Sequence, residues 1–510
     1  MKRLIARRPV TRTPSQPDAT TAVLRPADPE AAFLALTDRP GLAWLDSAGG
    51  PERLARFSIL ACDPIATLVT RGRVAAWTQE DRTTATVESP WRAIRRFVTQ
   101  WARSPGNADR EKSMTDHPFT GGVIGYFGYP LGRHIERLPH RAPRDSALPD
   151  AYLAAYDRAI VFDRHARRAL VVGYESDAPG GDTRRRRLLA ALHRSDPVAD
   201  IDEAALDRTL GTLDIQSNFA HGDYLDAVRR VREYIAAGDI FQANISQRFA
   251  TPLDETASRV DLYRRLRRAN PAPFAAYLDL GGGAAVLSSS PERFLRLDGR
   301  RIQTRPIKGT RPRSDDPAAD AALGRELLAS EKDNAELAMI VDLLRNDIGR
   351  VSNYGTVRVT EPRTLESYPT VHHLVATVEG ELHPRHDAVD LLRASFPGGS
   401  ITGAPKIRSM EIIDELEPTA RAVYTGAIGY FGANGTMDTN IVIRTIEVTA
   451  DRLTFQVGGG IVADSDPESE YRETLHKARG LFETLGERGL SQAKAAQSAA
   501  EARGLSPREG

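Results

Sequence analysis

A lysine, three glutamates, an arginine and a pair of histidines stand in contexts suited to chemistry. Lys308 lies in Arg305-Pro-Ile-Lys-Gly-Thr310, where Pro306 and Gly309 constrain the backbone on either side. Lysine occurs only at Lys2, Lys112, Lys308, Lys332, Lys406, Lys477 and Lys494 in an arginine-rich chain. Two readings of Lys308 stand: a surface lysine in a turn, or an amine whose pKa is lowered by the like charge of Arg305 and by partial burial. The second supplies a nucleophile. Glu336 shares the apolar side of a helical pattern with Ile340 and Leu343, and burying a carboxylate costs several kcal/mol unless a cation or hydrogen bonds compensate. Glu470 and Glu473 follow the glycine run Gly458-Gly-Gly460 on one face of a second helix. Oxygen donors without Cys or His suit a hard cation such as Mg²⁺; the alternative is a solvated helix face. Arg444 ends the apolar run Asn440-Ile-Val-Ile-Arg444, read as a strand whose guanidinium fork can hold a carboxylate. His372 and His373 are adjacent, one expected in the core and one available as a base.

Other chemistries are excluded. No G-x-x-x-x-G-K-[ST] phosphate loop exists, and the Gly-rich stretch Phe396 to Lys406 has the wrong spacing. No G-x-S-x-G elbow is present. The single cysteine, Cys62, rules out an intramolecular disulfide framework and is read as a core residue; a reducing cytoplasm is the expected compartment. With 69 basic and 68 acidic residues the formal net charge is +1, so no nucleic-acid partner is expected. No apolar run approaches the roughly 18 residues of a membrane span.

The elements that must position these side chains read as α+β with antiparallel sheets, since there is no regular βαβ alternation. The expected division is a tail over 1–25, an N-terminal region over 26–180, a charged connection over 181–222, a second region over 223–486 and a tail over 487–510. Helices are predicted at Thr183–Leu192, Tyr224–Ala237 (closed by Gly238) and Glu326–Arg345. Strands are predicted at Arg293–Asp298 and Thr439–Ile446, with Asp298-Gly299 and Asn434-Gly435 as hairpin turns. Gly122-Val-Ile-Gly-Tyr-Phe-Gly128 recurs as Gly426-Ala-Ile-Gly-Tyr-Phe-Gly432; one echo is not a repeat period, and it is read as convergence of two core strands.

Six ordered segments together resemble the chorismate-utilising enzymes, the family of anthranilate, aminodeoxychorismate, isochorismate and salicylate synthases. They are Gly238-Asp-Ile-Phe-Gln-Ala-Asn-Ile-Ser-Gln-Arg-Phe249, Ser290-Pro-Glu-Arg-Phe294, Arg305 to Thr310, Ala335 to Asp347, Phe396 to Lys406 and Gly458 to Ser465. The likeness covers 223–486 and extends more weakly to Leu45-Asp-Ser-Ala48 and Cys62-Asp-Pro64. It implies a sandwich of two antiparallel sheets with helices on the outer faces. It implies Mg²⁺ held through Glu336 and Glu473, with Glu470 assisting through water. Arg444 and the amides of Gly458, Gly459 and Gly460 are then expected to hold the chorismate carboxylates, Glu292 to protonate the departing 4-hydroxyl, His373 to serve in the active site, and Thr402 and Tyr430 to touch the ring. Within the family, the lysine of Pro-Ile-Lys308-Gly-Thr and Gln242-Ala-Asn244 resemble the branch that aminates C4, the aminodeoxychorismate synthases; anthranilate synthases carry Ala at the lysine position. Water-adding members carry a lysine base where this chain has Gln242. The resemblance therefore implies amination of chorismate to 4-amino-4-deoxychorismate on the route to para-aminobenzoate and folate, with ammonia from a separate glutamine amidotransferase subunit. The alternatives are anthranilate synthesis and a non-catalytic regulatory homologue. Leu45-Asp46-Ser47-Ala48 is similar to the family's tryptophan-binding motif and is expected to be a vestigial pocket.

Overall fold

A computed structural model describes residues 21–23, 28–102, 117–176, 178–193, 198–210, 214–368 and 371–486; the two expected tails lie almost wholly outside them. Two large antiparallel sheets pack face to face. Among the described residues each has twelve strands. Apolar side chains fill three layers. Between the sheets lie Ile59, Val161, Leu170, Leu278 and Val286 from one and Ile124, Tyr126, Tyr156 and Ile428 from the other. Outside each sheet, helices cover a second and a third core. The α+β sandwich expected from the sequence is the observed architecture.

Both sheets draw strands from both sequence regions, so 26–180 and 223–486 build one sandwich. In the first sheet, Ala43–Asp46 pairs with Phe274–Gly281 at the centre. Outward from the former run Phe57–Ala61, Arg158–Asp163 and Arg168–Gly173; outward from the latter run Ala284–Ser290, Thr445–Val448 and Arg452–Ile461. The second sheet is centred on Gly122–Phe127 paired with Ala427–Gly432, and these are the two echoed segments. Outward from one lie Ala151–Tyr156, Ala66–Arg71 and Val74–Gln79; outward from the other lie Met437–Asn440, Arg293–Asp298 and Arg301–Thr304. The echo is thus the axis of a two-fold arrangement. Gly125 and Gly429 occupy equivalent places, where a Cβ would strike the carbonyl of a neighbouring strand.

Two predicted elements are divided by the structure. The helix expected over Glu326–Arg345 is two, Pro317–Ala329 and Glu331–Gly349, because the Ser330 hydroxyl accepts the Asp333 N–H (3.2 Å) and starts a new helix. The strand expected over Thr439–Ile446 is also two. Met437–Asn440 belongs to the second sheet and Thr445–Val448 to the first, with the chain crossing between layers at 441–444. Arg444 therefore sits in a crossover, at φ 51°, rather than at a strand end. The other predictions stand within a few residues: helices Gly181–His193 and His221–Ala236, and hairpins turning at Gly299 (φ 57°) and Gly435 (φ 81°).

Candidate active site

The site forms where the chain passes between layers. One crossing, Pro291-Glu292, links Ala284–Ser290 to Arg293–Asp298; the other is 441–444. They run side by side, Ile441 N–H donating to the Glu292 carbonyl (3.0 Å) and Ser290 Oγ to the Ile441 carbonyl (2.6 Å). Around them gather one end of the second sheet (Ile307–Pro312 and Val371–Glu381), the strand Arg452–Ile461, the helices Glu331–Gly349 and Pro467–Thr484, and the loop Phe396 to Lys406.

Lys308 is half-buried beside a β-bulge at Gly309, whose φ is 69°. A Cβ at Gly309 would fall 2.7 Å from Leu327 Cδ1 and 2.9 Å from Asp333, so only glycine fits. Bulges re-aim side chains, and Lys308 Nζ lies 3.4 Å from where a Gly460 Cβ would be. Desolvation pushes the amine's pKa down, against the opposing pull of Glu336, Glu292 and Glu473. Glu292 is buried, accepts a hydrogen bond from Ser400 Oγ (2.7 Å), and is pushed up by desolvation to about 7. A lysine pressed toward the free amine thus faces a carboxyl pressed toward the neutral acid. Opposed shifts of this kind mark acid and nucleophile assignments.

The glycine run lies on the strand Arg452–Ile461. Asn244 pairs opposite Gly460 and Ser246 opposite Gly458. The Asn244 N–H is turned away, to the Thr402 carbonyl (2.8 Å), and the Ser246 N–H to Glu417 (2.9 Å). Both are therefore non-hydrogen-bonded pairs, and the ladder alternates. The N–H groups of Gly458 and Gly460 point to the strand's other side, while Gly459 spends its N–H in the ladder with Ile245. On that other side pairing with Thr445–Val448 ends at Phe455, which leaves an open edge. Two of the three expected amide donors are thus available, not three. Arg444 has its pKa lowered by desolvation and forms, among the described residues, only one side-chain hydrogen bond, to Asn270 (3.2 Å). No described carboxylate pairs with it, which suits an anionic ligand. Its left-handed backbone stores roughly 1–3 kcal/mol of strain of the kind found at functional sites.

The carboxylates gather on the opposite wall. Glu336 has no hydrogen-bond or ion-pair partner among the described residues, and desolvation raises its pKa. Glu470 is buried, takes a hydrogen bond from Ser465 on Oε1 (2.6 Å), and leaves Oε2 beside Gly459. Glu473 is held by Lys477 (2.6 Å), whose Nζ also donates to the Gly458 carbonyl (3.1 Å); that pairing lowers the Glu473 pKa. Among the described residues no three acidic, imidazole or thiol groups converge on one point. The donor set still fits a hard divalent cation that keeps part of its water: Glu336 and one oxygen of Glu470 are unspent, while Glu473 is held by Lys477.

The two histidines separate. His372 donates and accepts within a closed set, Asp320 (3.0 Å) and Ser367 (2.9 Å). His373 is buried with Nε2 unpartnered, and desolvation and Arg444 push its pKa down to about 3. Thr402 is fully buried and its hydroxyl is committed to the Gly398 carbonyl (2.9 Å). Tyr430 is not brought to this group. It packs edge-on against Phe119 (5.5 Å) in the core between the sheets, and its hydroxyl interacts with Asp438, Arg296 and Arg293. Sequence reasoning missed Ser400 and Lys477. Lys477 was findable by its i, i+4 spacing from Glu473; Ser400 is selected by tertiary placement alone. At the expected vestigial pocket Asp46 is buried and paired with Arg267 (2.6 Å) and Ser58 (3.2 Å).

A two-sheet sandwich enclosing an open strand edge, a half-buried lysine and acidic helices fits an enzyme of the chorismate type. The chain belongs to the chorismate binding enzymes, whose family model matches residues 45–483. It is 42% identical over 471 residues to aminodeoxychorismate synthase component 1 of Salmonella typhimurium, covering 92% of this chain and 98% of that one. It is 46% identical over 373 residues to anthranilate synthase component 1 of Streptomyces coelicolor, covering 72% and 73%. Anthranilate synthase component I from Streptococcus pneumoniae superposes with a TM-score of 0.71 at 33% identity, covering 83% of this chain and 92% of that structure.

Proposed function

We propose that this chain converts chorismate and ammonia to 4-amino-4-deoxychorismate, with Lys308 as covalent nucleophile. The observation that carries it is the pairing of the Lys308 amine, lowered in pKa, with the Glu292 carboxyl, raised to about 7, in one cleft. Relatives named for C4 and for C2 amination match at comparable identity, so the discriminating residue is Lys308. Its lone pair attacks C2; both conjugated ring double bonds shift and the C4–O bond breaks. Glu292 delivers the proton that lets the 4-hydroxyl leave as water, since hydroxide is a poor leaving group. Ammonia then attacks C4, both double bonds shift back and the C2–N bond to Lys308 breaks. Two displacements bring the new nitrogen to C4. Arg444 and the edge amides of Gly458 and Gly460 hold the substrate carboxylates. Mg²⁺ would be held by Glu336 and Glu470, with Glu473, and would supply positive charge against a substrate carboxylate.

Ammonia comes, in this reading, from a separate glutamine amidotransferase subunit. Such an enzyme needs a cysteine activated by a histidine. Cys62 is buried, its thiol is pushed up by desolvation and by Asp63, and the charged groups around it are Asp63, Arg187 and Arg39. The cytoplasm belongs to the same proposal and rests on that lone reduced thiol; among the described residues no helix is long and apolar enough to cross a membrane. The test is incubation of the purified chain with chorismate, ammonium and Mg²⁺, with product mass and ring position determined. 4-Amino-4-deoxychorismate is expected; anthranilate with pyruvate would make the chain a C2-aminating enzyme, and no product would leave a regulatory homologue.

A further inference from the structure

Arg444 is a charged side chain held by an uncharged one. Its backbone carbonyl accepts from the Ser289 N–H (3.0 Å), and the Ser289 hydroxyl donates to the Asn270 carbonyl, so one fully buried serine fastens the two backbones together. Asn270 closes the helix Arg259–Ala269, its N–H donating to the Leu266 carbonyl (2.9 Å), and Pro271 restricts its backbone from the other side. From this fixed place its side chain lies 3.2 Å from Arg444 Nη1. A guanidinium has only donors, so the atom that meets it is the amide oxygen, Oδ1. Gly480, on the helix Pro467–Thr484, leaves room for that amide: a Cβ there would stand 3.2 Å from Asn270 Cβ and 3.5 Å from its Cγ. Other buried arginines of this chain are matched with carboxylates, Arg421 with Glu417 (2.7 Å), Arg293 with Asp438 (3.0 Å) and Arg267 with Asp46 (2.6 Å). Arg444 is half-buried, and among the described residues no carboxylate pairs with it.

We propose that Asn270 is a positioning residue that orients the Arg444 guanidinium while leaving its charge unspent for a carboxylate of the substrate. The proposal rests on the assignment of Arg444 to a chorismate carboxylate made above. Asparagine and aspartate have nearly the same shape, and both offer an oxygen to Nη1. An aspartate at 270 would neutralise the guanidinium and compete with the ligand for its donors; the amide fixes the fork and does not compete. A residue that served packing alone would tolerate aspartate at least as well as alanine.

The test measures kcat and KM for chorismate in the ammonium assay, and chorismate binding by calorimetry, for Asn270→Ala and Asn270→Asp, each with Arg444 present and in the Arg444→Gln background. Thermal melts of the substrate-free proteins accompany them, and Asn270→Ser replaces the alanine variant if that fails to fold. Asn270→Ala should raise KM about tenfold with kcat within about twofold. Asn270→Asp, closer in shape to the wild type, should be the worse variant, with KM raised about a hundredfold. In the Arg444→Gln background Asn270→Ala should change kcat/KM by less than about twofold, because nothing is left to position. The melts should run the other way: Asn270→Asp should melt no lower than the wild type while Arg444 is present, and clearly lower than its parent once Arg444→Gln leaves the new carboxylate unpaired. An aspartate variant that binds chorismate as well as the alanine variant does, an alanine cost that persists in full without Arg444, or the same melting change from Asn270→Asp in both backgrounds overturns the proposal. If the wild type forms no product from chorismate, the functional reading fails, while the melts with and without Arg444 still decide whether Asn270 acts on that guanidinium.

Discussion

Glu292 should be a residue whose removal costs activity and raises stability. Its carboxyl is 5% exposed and titrates at about 7 in the folded protein against 4.5 for the ordinary side chain. Because the folded pKa is the higher one, the folded state binds this proton more tightly than the unfolded chain does. The associated stability is fully present below about pH 4.5 and is lost as pH rises through about 7. The difference between the two values corresponds to about 3 kcal/mol at 1.36 kcal/mol per pKa unit. Glu292→Gln removes the ionisation and keeps an oxygen to accept from Ser400. At pH 4 the variant and the wild type should melt nearly together; at pH 8.5 the variant should be the more stable by up to about 3 kcal/mol. With an unfolding entropy of about 2.1 cal/mol/K per residue, the whole chain has roughly 1 kcal/mol/K, so the expected gain is about 3 °C. Thermal melts of substrate-free protein at the two pH values measure it. In parallel, kcat for ammonium-dependent turnover should fall by about 10²-fold or more, since the leaving hydroxyl loses its acid. A melting difference that does not change with pH would show that Glu292 is not held above its ordinary pKa, and would remove the physical basis for its role as an acid.

Lys308→Ala should abolish C4 amination while chorismate still binds, and Lys308→Arg should not rescue, because guanidinium stays protonated; product analysis and binding calorimetry check this, and normal C4 product from the alanine variant would refute the covalent role. Glu336→Gln should lose most activity at low Mg²⁺ and regain part of it as Mg²⁺ is raised, read from a titration of initial rate against metal; full activity without added Mg²⁺ would make this carboxylate structural. Gly460→Ala should cut turnover sharply because its Cβ would collide with the Gln242 amide and sit 3.4 Å from Lys308 Nζ, whereas Gly222→Ala, with open space around it in a helix, should keep activity and gain about 0.5–1 kcal/mol. At fixed total ammonium the rate should rise with pH up to about 7 as free ammonia grows and then level off, because ionisation of Glu292 offsets the further growth in free ammonia; a steep rise continuing through pH 9 would exclude Glu292 as the acid.

Much of this protein was legible in the sequence because its motifs carry their own local physics. Pro306 and Gly309 announce a constrained lysine, the run Gly458 to Gly460 announces backbone available to a ligand, and the spacing of Glu470, Glu473 and Lys477 announces one helix face. Helix ends and hairpin turns followed from capping residues and from glycines at positive φ. What the sequence could not decide depends on contacts hundreds of residues apart. Thr439–Ile446 alternates like one strand, yet its halves join different sheets, since alternation records only which side is apolar and not which sheet lies there. Tyr430 is as aromatic as any ring contact in sequence; only the placement of Phe119 against it puts it in the core between the sheets. The echo of Gly122 to Gly128 in Gly426 to Gly432 is a sequence fact, but that the two strands pair along a two-fold axis is a fact of assembly. Side-chain type determined which groups are able to donate, accept or attack. The low dielectric that moves Lys308 down and Glu292 up exists only once two sheets have closed over them, so the reactivity of the site belongs to the tertiary structure.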